Sequence, residues 1–447
     1  MKKVAVVICT YNKCEYVVNC IESVLNSNFK DFDLIVVDNA SEDDTVEVIN
    51  NKYSDQLTLL VNDENLGGSG GFHRGMSYAM EKGHYEYIHL LDNDVVVDAD
   101  AIGKLYEFME EHTDAGACGS LVLDMDFPDT IWDYGAIINI DNLSFGSIYK
   151  KMNINAPLPE FVACDYVAAC SAMFRCSALE KVGLIDEDYF IFWDDIAFSW
   201  KLRIAGYKIY DYSASRIWTK VGETGRNVSF LIYYHFRNKI HTIAKYCTNK
   251  EFDKLADIIV TRIFRVFAVN TKSSNAIYVY FHALNDALNG IRGKAESYIL
   301  LPNNDPEFEF EGRLKTSKNM LILFSKEFVI LEDFIKKIRK QHAGIEIFIF
   351  SDGKALPNLP DVTVLDKSPD YNKYDLIIKT CDHILDLPEY DRKLIYCDRY
   401  MNQLVNDDDF DLVLNLENQY KFFYTTFYPY VKSKLDALRK QFGHDVP

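Results

Sequence analysis

The sequence lacks long apolar stretches. No run approaches the roughly 18 to 20 uncharged apolar residues that a membrane-spanning helix needs, and the apolar residues 4–8 are too few for a signal peptide. Paired cysteines are also missing: none of the ten cysteines belongs to a C-x-x-C motif, so neither a zinc site nor a redox motif is expected. We therefore expect a cytoplasmic protein with free thiols. It is expected either to be free in the cytoplasm or to bind peripherally to the inner face of the cell membrane.

An excess of positive charge is absent as well. The 447 residues include 48 Lys and Arg against 67 Asp and Glu, a net charge of −19. Because nucleic-acid-binding proteins need a basic face, no nucleic-acid partner is expected. The charge is unevenly spread: residues 1–225 hold 17 basic and 37 acidic side chains, whereas residues 226–300 hold 11 and 5. A basic segment inside an acidic protein needs an explanation.

Strand and helix patterns alternate over the first hundred residues. The predicted strands are residues 4–8, 34–37, 57–61 and 87–91, and the predicted helices between them are residues 14–26, 41–50 and 70–81. This order predicts a mostly parallel α/β sheet with helices on both faces. In such sheets ligands bind at the carboxyl ends of the strands, so the loops that follow the strands are the first places to look for a site.

The pattern changes after residue 225. Helices are predicted at residues 229–247, 251–270 and 275–293, and an acidic linker follows. Strands are predicted again at residues 320–324, 345–350, 362–365, 376–379, 394–397 and 412–416, with helices at 327–341 and from about residue 430. We predict a catalytic domain at 1–225, a basic helical segment at 226–300, a linker at 301–315 and a small accessory α/β domain at 316–447.

Two acidic loops follow predicted strands. Asp92 and Asp94, separated by Asn93, can face one divalent cation, although a solvated turn explains the same pattern. Asp38 ends the second strand and precedes Ser41 and Asp43. That loop is either a helix N-cap or a contact to a nucleoside, and both roles are compatible.

A third loop carries five glycines in nine residues, from Gly67 to Gly75, and continues into a helix that bears Arg74. Glycine lets the backbone approach a ligand closely, and a helix N-terminus favours anions such as phosphate. The spacing matches neither the P-loop nor the dinucleotide fingerprint. A ligand contact is favoured over a structural turn.

A fourth element places Asp194 and Asp195 at the start of a predicted amphipathic helix, directly after Phe192 and Trp193. Acidic residues in a first turn complement the helix dipole. Aromatic rings beside paired carboxylates also suit a sugar and a general base.

Together these four loops, with Arg203, Gly206 and the later segment 233–238, resemble the inverting, nucleotide-sugar-dependent glycosyltransferases of family 2, which have the GT-A fold. The resemblance covers about residues 1–240. Residues 65–75 and the Trp193-Asp194-Asp195 element look most like the galactofuranosyltransferase and rhamnosyltransferase branch. The donor-binding residues that this resemblance implies are Thr10, Tyr11, Asn12, Asp38, Asn65, Gly67, Gly68, Arg74, Asp92, Asn93 and Asp94.

The resemblance also implies catalytic roles. Asp195 would be the general base, Asp194 and Trp193 would contact the acceptor sugar, and Asp94 with Asp92 would bind a divalent cation, Mn²⁺ or Mg²⁺. In that branch a histidine commonly follows an Ile-Trp or Val-Trp pair and completes the metal shell. Here Thr219 follows that pair, so the third metal ligand differs.

The function expected from the resemblance is sugar transfer from a nucleoside diphosphate donor to a lipid-linked or oligosaccharide acceptor of a cell-surface polysaccharide. The glycine-rich loop favours UDP-galactofuranose over dTDP-rhamnose. The alternatives are a nucleotidyltransferase, which should carry a basic glycine-rich loop near its N-terminus, and a non-catalytic glycan-binding module. The basic segment 226–300 suits contact with an anionic membrane, and packing on the catalytic domain or within a homo-oligomer is the alternative.

Overall fold

The computed structural model of the chain describes residues 2–139, 144–221, 228–269, 274–301, 311–324, 331–351, 359, 361–380, 391, 393–397 and 416–442. The N-terminal half of the chain forms a ten-stranded sheet and a small hairpin. The strands, in chain order, are β1 (Val4–Thr10), β2 (Phe32–Asp38), β3 (Thr58–Val61), β4 (Tyr87–Asp92), β5 (Val95–Val97), β6 (Ala115–Asp124), β7 (Ile131–Asp133), the hairpin β8 (Ala136–Asn139) and β9 (Ser144–Ser147), β10 (Phe161–Ala163), β11 (Ser171–Arg175) and β12 (Lys208–Thr219).

The main path of the large sheet runs β10-β12-β6-β11-β4-β1-β2-β3, with β5 paired to β12 and β7 paired to β6. Strands β3, β2, β1 and β4 are parallel neighbours, as predicted. Strand β11 runs antiparallel between β4 and β6. The sheet contains both parallel and antiparallel pairs and is covered by helices, which confirms the predicted α/β fold of the GT-A type.

Twelve α-helices fall within the described ranges: α1 (Cys14–Leu25), α2 (Thr45–Tyr53), α3 (Gly67–Lys82), α4 (Ala101–Glu111), α5 (Cys176–Val182), α6 (Asp194–Ile204), α7 (Val228–Tyr246), α8 (Asn249–Val269), α9 (Ser274–Leu288), α10 (Glu311–Thr316), α11 (Leu331–Gln341) and α12 (Leu416–Gln441). The central strand β1 shows why both sheet faces are covered. Its residues Val4, Val6 and Ile8 pack with α1 and α4, and Ala5 and Val7 pack with α3, α5 and α6. Burial on both faces explains the uninterrupted apolar run.

Two predicted helix starts near the sheet edge differ from the structure. Helix α2 begins at Thr45 rather than at residue 41, because the preceding loop is closed by side chains: the Ser41 N–H donates to Asp38 Oδ2 at 2.9 Å and the Thr45 N–H donates to Asp43 Oδ1 at 3.1 Å. Helix α3 begins at Gly67, three residues earlier than predicted. The glycine-rich stretch is therefore mainly the first turns of a helix.

The basic helical segment packs within the chain. Buried residues of α7, α8 and α9 share one apolar cluster with residues of α6 and with Val431, Leu435 and Leu438 of α12. On α8 the predicted apolar residues Ile259 and Ile263 are buried, while the side chain of Phe267 lies outside the described residues. The described helices include none that is long and apolar enough to cross a membrane. Contact with a membrane surface stays a prediction.

A second, five-stranded parallel sheet confirms the predicted C-terminal α/β unit. Its strands are β13 (Asn319–Leu323), β14 (Glu346–Phe350), β15 (Thr363–Leu365), β16 (Leu376–Thr380) and β17 (Leu394–Cys397), in the order β15-β14-β13-β16-β17. Helix α12 begins at Leu416, so the prediction that the last helix starts near residue 430 is wrong. Residues 412–415 of the predicted last strand lie outside the described residues. Helix α12 packs against α8. The limits of the predicted domains stay a prediction.

Candidate active site

Three of the predicted loops meet where β1, β2 and β4 end. In the strand register Thr10 lies opposite Asp38, and Cys9 lies opposite Asp92. The Asn93 amide donates to the Thr10 hydroxyl at 3.0 Å and ties the loop after β4 to β1. The sheet therefore brings these side chains together, as expected for the carboxyl ends of parallel strands.

Asp38 is fully buried at this edge, and only one of its carboxylate oxygens is used. Oδ2 accepts from the Ser41 N–H, whereas Oδ1 is buried and has no hydrogen-bond partner among the described residues. A buried, unsatisfied acceptor costs about 1–3 kcal/mol, so native proteins rarely keep one without a reason. A ligand that donates a hydrogen bond, such as a nucleobase N–H, would satisfy it.

Two asparagines that the sequence did not single out connect this loop to the glycine-rich helix. The Asn39 amide donates to the Gly67 carbonyl at 2.7 Å, and the Asn62 amide donates to Asn39 Oδ1 at 2.6 Å. Arg74 donates to Asn62 and, at 2.9 Å, to the Val61 carbonyl. Arg74, predicted to bind the donor, therefore supports this amide network in the structure.

Three further predicted donor residues lie at the rim of the same edge. The Asn12 N–H donates to the Ser41 hydroxyl, and Asn12 Oδ1 accepts from the Glu42 N–H at 2.7 Å, so Asn12 joins the two loops. Asn65 Oδ1 accepts from the Gly67 N–H at 2.8 Å. Tyr11 is 38% exposed and can reach a ligand at this rim.

The start of α3 lies against the loop that carries Asp194 and Asp195. The Ser69 N–H donates to the Phe190 carbonyl at 3.1 Å, and the Ser69 hydroxyl donates to Asp194 Oδ2 at 2.8 Å. Gly67 has a φ of +74°, and a Cβ there would lie 2.0 Å from the Phe190 carbonyl oxygen. The close approach of the two backbones explains why glycine is needed at this position. Gly68 faces open space.

The two neighbouring aspartates differ in their surroundings. Asp194 is buried and bonded to Ser69, and burial raises its pKa above the ordinary value. Burial, and then the charge of Asp194, raises the pKa of Asp195 to about 8. Asp195 also accepts from the Ile196 N–H at 2.7 Å. A carboxylate with a raised pKa next to an acidic cleft can act as a general base at neutral to alkaline pH.

The charges of several predicted acids act on two buried thiols. Burial raises the pKa of Cys9 and of Cys170, so both remain protonated. The carboxylates that raise the pKa of one or the other further are Asp38, Asp92, Asp94, Asp133, Asp194 and Asp195. All of these except Asp133 were predicted from the sequence; Asp133 lies in a short strand without a recognisable motif.

The predicted cation ligand Asp94 lies next to Thr219. Asp94 Oδ1 lies 3.4 Å from the hydroxyl of Thr219, the residue that stands where the related branch has a histidine. No group of three or more His, Cys, Asp or Glu arranged for a metal occurs in the described part of the chain. Mg²⁺ is commonly bound by one or two carboxylates and substrate phosphates, so Asp92, Asp94 and Thr219 suit that mode.

Comparison with protein families gives a match for the first part of the chain. Residues 5–183, less than half of the chain, are similar to glycosyl transferase family 2. The chain is 27% identical over 216 residues to a poly-beta-1,6-N-acetyl-D-glucosamine synthase of Staphylococcus epidermidis, and 26% identical over 215 residues to that of Staphylococcus aureus strain COL. Each alignment covers 48% of this chain and 49% of the relative. The chain thus spans about half the length of these curated relatives.

Solved structures with a similar arrangement include Staphylococcus aureus TarS 1–349, at 17% identity and a TM-score of 0.42, over 65% of this chain and 81% of that one. A mannosyltransferase from Pyrobaculum calidifontis, solved with GDP-Man and Mn²⁺, matches at 16% identity and a TM-score of 0.41, over 64% of this chain and 75% of that one.

The loop that leads to Asp194 and Asp195 has an unusual backbone. Phe190, Phe192 and Trp193 all have φ between +61° and +68°, a region that bulky residues avoid. Such strain persists only where neighbouring structure over-determines it, and it clusters at functional sites. The loop therefore needs an external support.

Helix α7 supplies that support. The Asn238 amide donates to the carbonyls of Tyr189, Ile191 and Phe192 at 3.0, 2.8 and 3.0 Å. Arg237, buried beside it, donates to Asn238 Oδ1 at 2.9 Å. The basic segment is thus joined by hydrogen bonds to the loop that presents Asp194 and Asp195.

We expect Asn238→Ala to lower stability by about 2–4 kcal/mol, because the two N–H groups of its amide hold three carbonyls, and these hydrogen bonds contribute about 1 kcal/mol each. Thermal denaturation tests this, with the exposed Asn289→Ala as the matched control. An Asn238→Ala protein with the wild-type melting temperature would show that the loop keeps its conformation without this amide.

Proposed function

We propose that this chain transfers a sugar from a nucleoside diphosphate donor to an acceptor hydroxyl, with inversion at the anomeric carbon. One observation carries the proposal: at the carboxyl end of one sheet the strand register places Thr10 opposite Asp38 and Cys9 opposite Asp92, and Ser69 at the start of α3 donates to Asp194. A glycan-binding module would not need these acids together, and a nucleotidyltransferase should carry a basic glycine-rich loop within residues 4–12, which is absent.

Each part of the edge has a task in this mechanism. The unpartnered Asp38 Oδ1 accepts from the nucleobase, and the exposed ring of Tyr11 lies beside the same rim. Gly68, with open space before it, lets the backbone of α3 lie close to the donor. Asp92 and Asp94 face the diphosphate. A cation bound there would offset the charge repulsion and stabilise the leaving group.

The chemical step is a single displacement. Asp195 takes the proton of the acceptor hydroxyl, the acceptor oxygen bonds to the anomeric carbon, and the bond from that carbon to the diphosphate oxygen breaks. The electron pair leaves with the nucleoside diphosphate. One base and one displacement invert the anomeric configuration.

The donor is proposed to be UDP-galactofuranose, with dTDP-rhamnose as the second candidate, on the strength of the glycine-rich loop and the Trp193-Asp194-Asp195 element. The acceptor is proposed to be a lipid-linked or oligosaccharide chain of a cell-surface polysaccharide. The related proteins named as polysaccharide synthases support this choice. Peripheral contact with a membrane and assembly into a homo-oligomer belong to the same proposal.

Thermal shift with a panel of nucleotide sugars tests the donor proposal. We expect stabilisation by UDP-galactofuranose, or by dTDP-rhamnose, with Mn²⁺ or Mg²⁺ present, and a much smaller shift with EDTA. At a donor concentration 100 times the dissociation constant, binding adds about 2.7 kcal/mol of stability. Asp94→Asn should lose the cation-dependent part, and the exposed Asp55→Asn serves as the control. Equal shifts with and without cation would contradict the role of Asp94.

A further inference from the structure

We propose that Asp133 on β7, Phe145 on β9 and Trp193 before α6 form the subsite that holds the sugar ring of the acceptor. This inference deepens the proposed function and rests on it, since the subsite serves the hydroxyl that Asp195 deprotonates. The ligand class is a glycosyl residue with one exposed ring face and a free hydroxyl.

Aromatic rings form one side of the subsite. Phe145 is 44% exposed although its ring packs edge-on against the ring of Trp193, with centroids 5.3 Å apart. The His235 ring lies nearly parallel to Phe145 at 6.1 Å and stacks on Phe192 at 4.1 Å. An exposed aromatic ring braced in this way offers a flat apolar face beside the acidic loop, and the C–H face of a sugar ring fits such a surface.

Two buried polar atoms on the elements of the proposed subsite lack partners among the described residues. Trp193 is only 2% exposed, and its Nε1–H is buried and unpaired. Oδ1 of Asp133 is also buried and unpaired, and its strand β7 contacts β9, the hairpin strand that carries Phe145. One atom is a donor and the other an acceptor. The hydroxyl groups of a sugar ring can both accept and donate hydrogen bonds, so a sugar ring suits both atoms.

The position of Phe145 relative to the base fits an acceptor ring. Its ring packs on Trp193, two residues before Asp195, and lies edge-on to Tyr166 with centroids 6.4 Å apart. Burial, and then the charges of Asp133 and Asp195, raise the pKa of Tyr166. A sugar ring stacked on Phe145 would therefore lie beside the loop that carries the base.

Saturation-transfer NMR with methyl glycosides tests the subsite without using turnover. Methyl β-D-galactopyranoside, methyl α-L-rhamnopyranoside and sorbitol are each mixed with the protein, with and without UDP and Mg²⁺. We expect signal from at least one glycoside and little from sorbitol, which has hydroxyls but no ring face. Phe145→Ala and Asp133→Asn should each reduce the glycoside signal at least fivefold, whereas Phe422→Ala, at an exposed phenylalanine on α12, should not.

The outcomes separate this inference from the proposed function. Binding of neither glycoside, equal binding of sorbitol, or unchanged binding by both variants would overturn the subsite. The thermal shift produced by UDP with Mg²⁺ reports the donor site independently and should be the same in all three variants. If UDP with Mg²⁺ produced no thermal shift in the wild-type protein, the proposed function would be contradicted. The glycoside signal would still test the subsite in that case.

Discussion

Asp195→Asn is expected to abolish sugar transfer, with a loss on the order of 10²–10⁴ in turnover, because the acceptor proton then has no base to receive it. Nucleotide binding should stay near the wild-type level, since Asp38, Asp92 and Asp94 are unchanged. Asp194→Asn should lose less, about tenfold, because an amide oxygen can still accept from the Ser69 hydroxyl that now donates to Asp194. Steady-state turnover with the preferred donor, compared with Asp55→Asn as an exposed control, gives the answer. Near-normal turnover in Asp195→Asn would contradict the assignment.

The raised pKa of Asp195 adds a pH test to this prediction. Burial and the charge of Asp194 hold the folded pKa at about 8, with Asp92 as a further acidic neighbour. The base form therefore gains population as pH rises, and kcat/KM should increase up to about pH 8 and then level off. A profile that is flat from pH 5 to 9 would exclude this base.

The raised pKa of Asp195 also makes the free energy of unfolding depend on pH. The folded protein keeps the Asp195 proton up to about pH 8, whereas the unfolded chain loses it near the ordinary aspartate pKa of about 4. Stability therefore falls as pH rises between these values. Asp195→Asn removes that penalty and should melt at a higher temperature than the wild type at pH 8, which separates loss of catalysis from loss of folding.

Gly67→Ala is expected to give the largest loss of stability in the N-terminal half of the chain, about 3–5 kcal/mol, together with loss of turnover. The new Cβ would lie 2.0 Å from the Phe190 carbonyl oxygen, which is backbone and cannot rotate away. The residue also needs a φ of +74°, which alanine rarely adopts. Either α3 or the loop before Asp194 must move, and the bond from Ser69 to Asp194 is then broken.

Gly68→Ala is the matched control for this substitution. Nothing lies within 4 Å of a Cβ at Gly68, and the position is helical, so stability should be unchanged or up to about 1 kcal/mol higher. Chemical denaturation of the two variants measures the difference directly. If both variants unfold at the same denaturant concentration, the close approach of α3 and the Phe190 loop is not a feature of the native protein.

Much of the fold was accessible from the sequence because β1, β2 and β4 are buried apolar runs that end in polar residues. The parallel order then places Thr10, Asp38 and Asp92 side by side, as predicted. Helix starts were less accessible. The start of α2 depends on the hydrogen bond from the Thr45 N–H to Asp43 Oδ1, and α12 begins 14 residues before the predicted position.

The contacts that support the site were not accessible, because they join residues distant in the chain. Asn238 lies more than 40 residues from the loop whose carbonyls it holds. The positive φ of Trp193 has no sequence signal, since a bulky aromatic residue disfavours it. Asp133 belongs to a three-residue strand, which has no recognisable pattern in the sequence. The basic charge of segment 226–300 likewise gave no hint that Arg237 is buried.

The most direct test of the proposed inverting displacement is the anomeric configuration of the sugar that the enzyme releases or transfers. With the donor identified by thermal shift and Mg²⁺ present, proton NMR follows the first minutes of turnover, before the free sugar equilibrates. A single displacement assisted by Asp195 predicts a product whose anomeric configuration is inverted relative to the donor. The wild-type protein and Asp55→Asn should form this product, and Asp195→Asn should not. A product that retains the donor configuration, or equal product from Asp195→Asn, would contradict a single displacement assisted by Asp195.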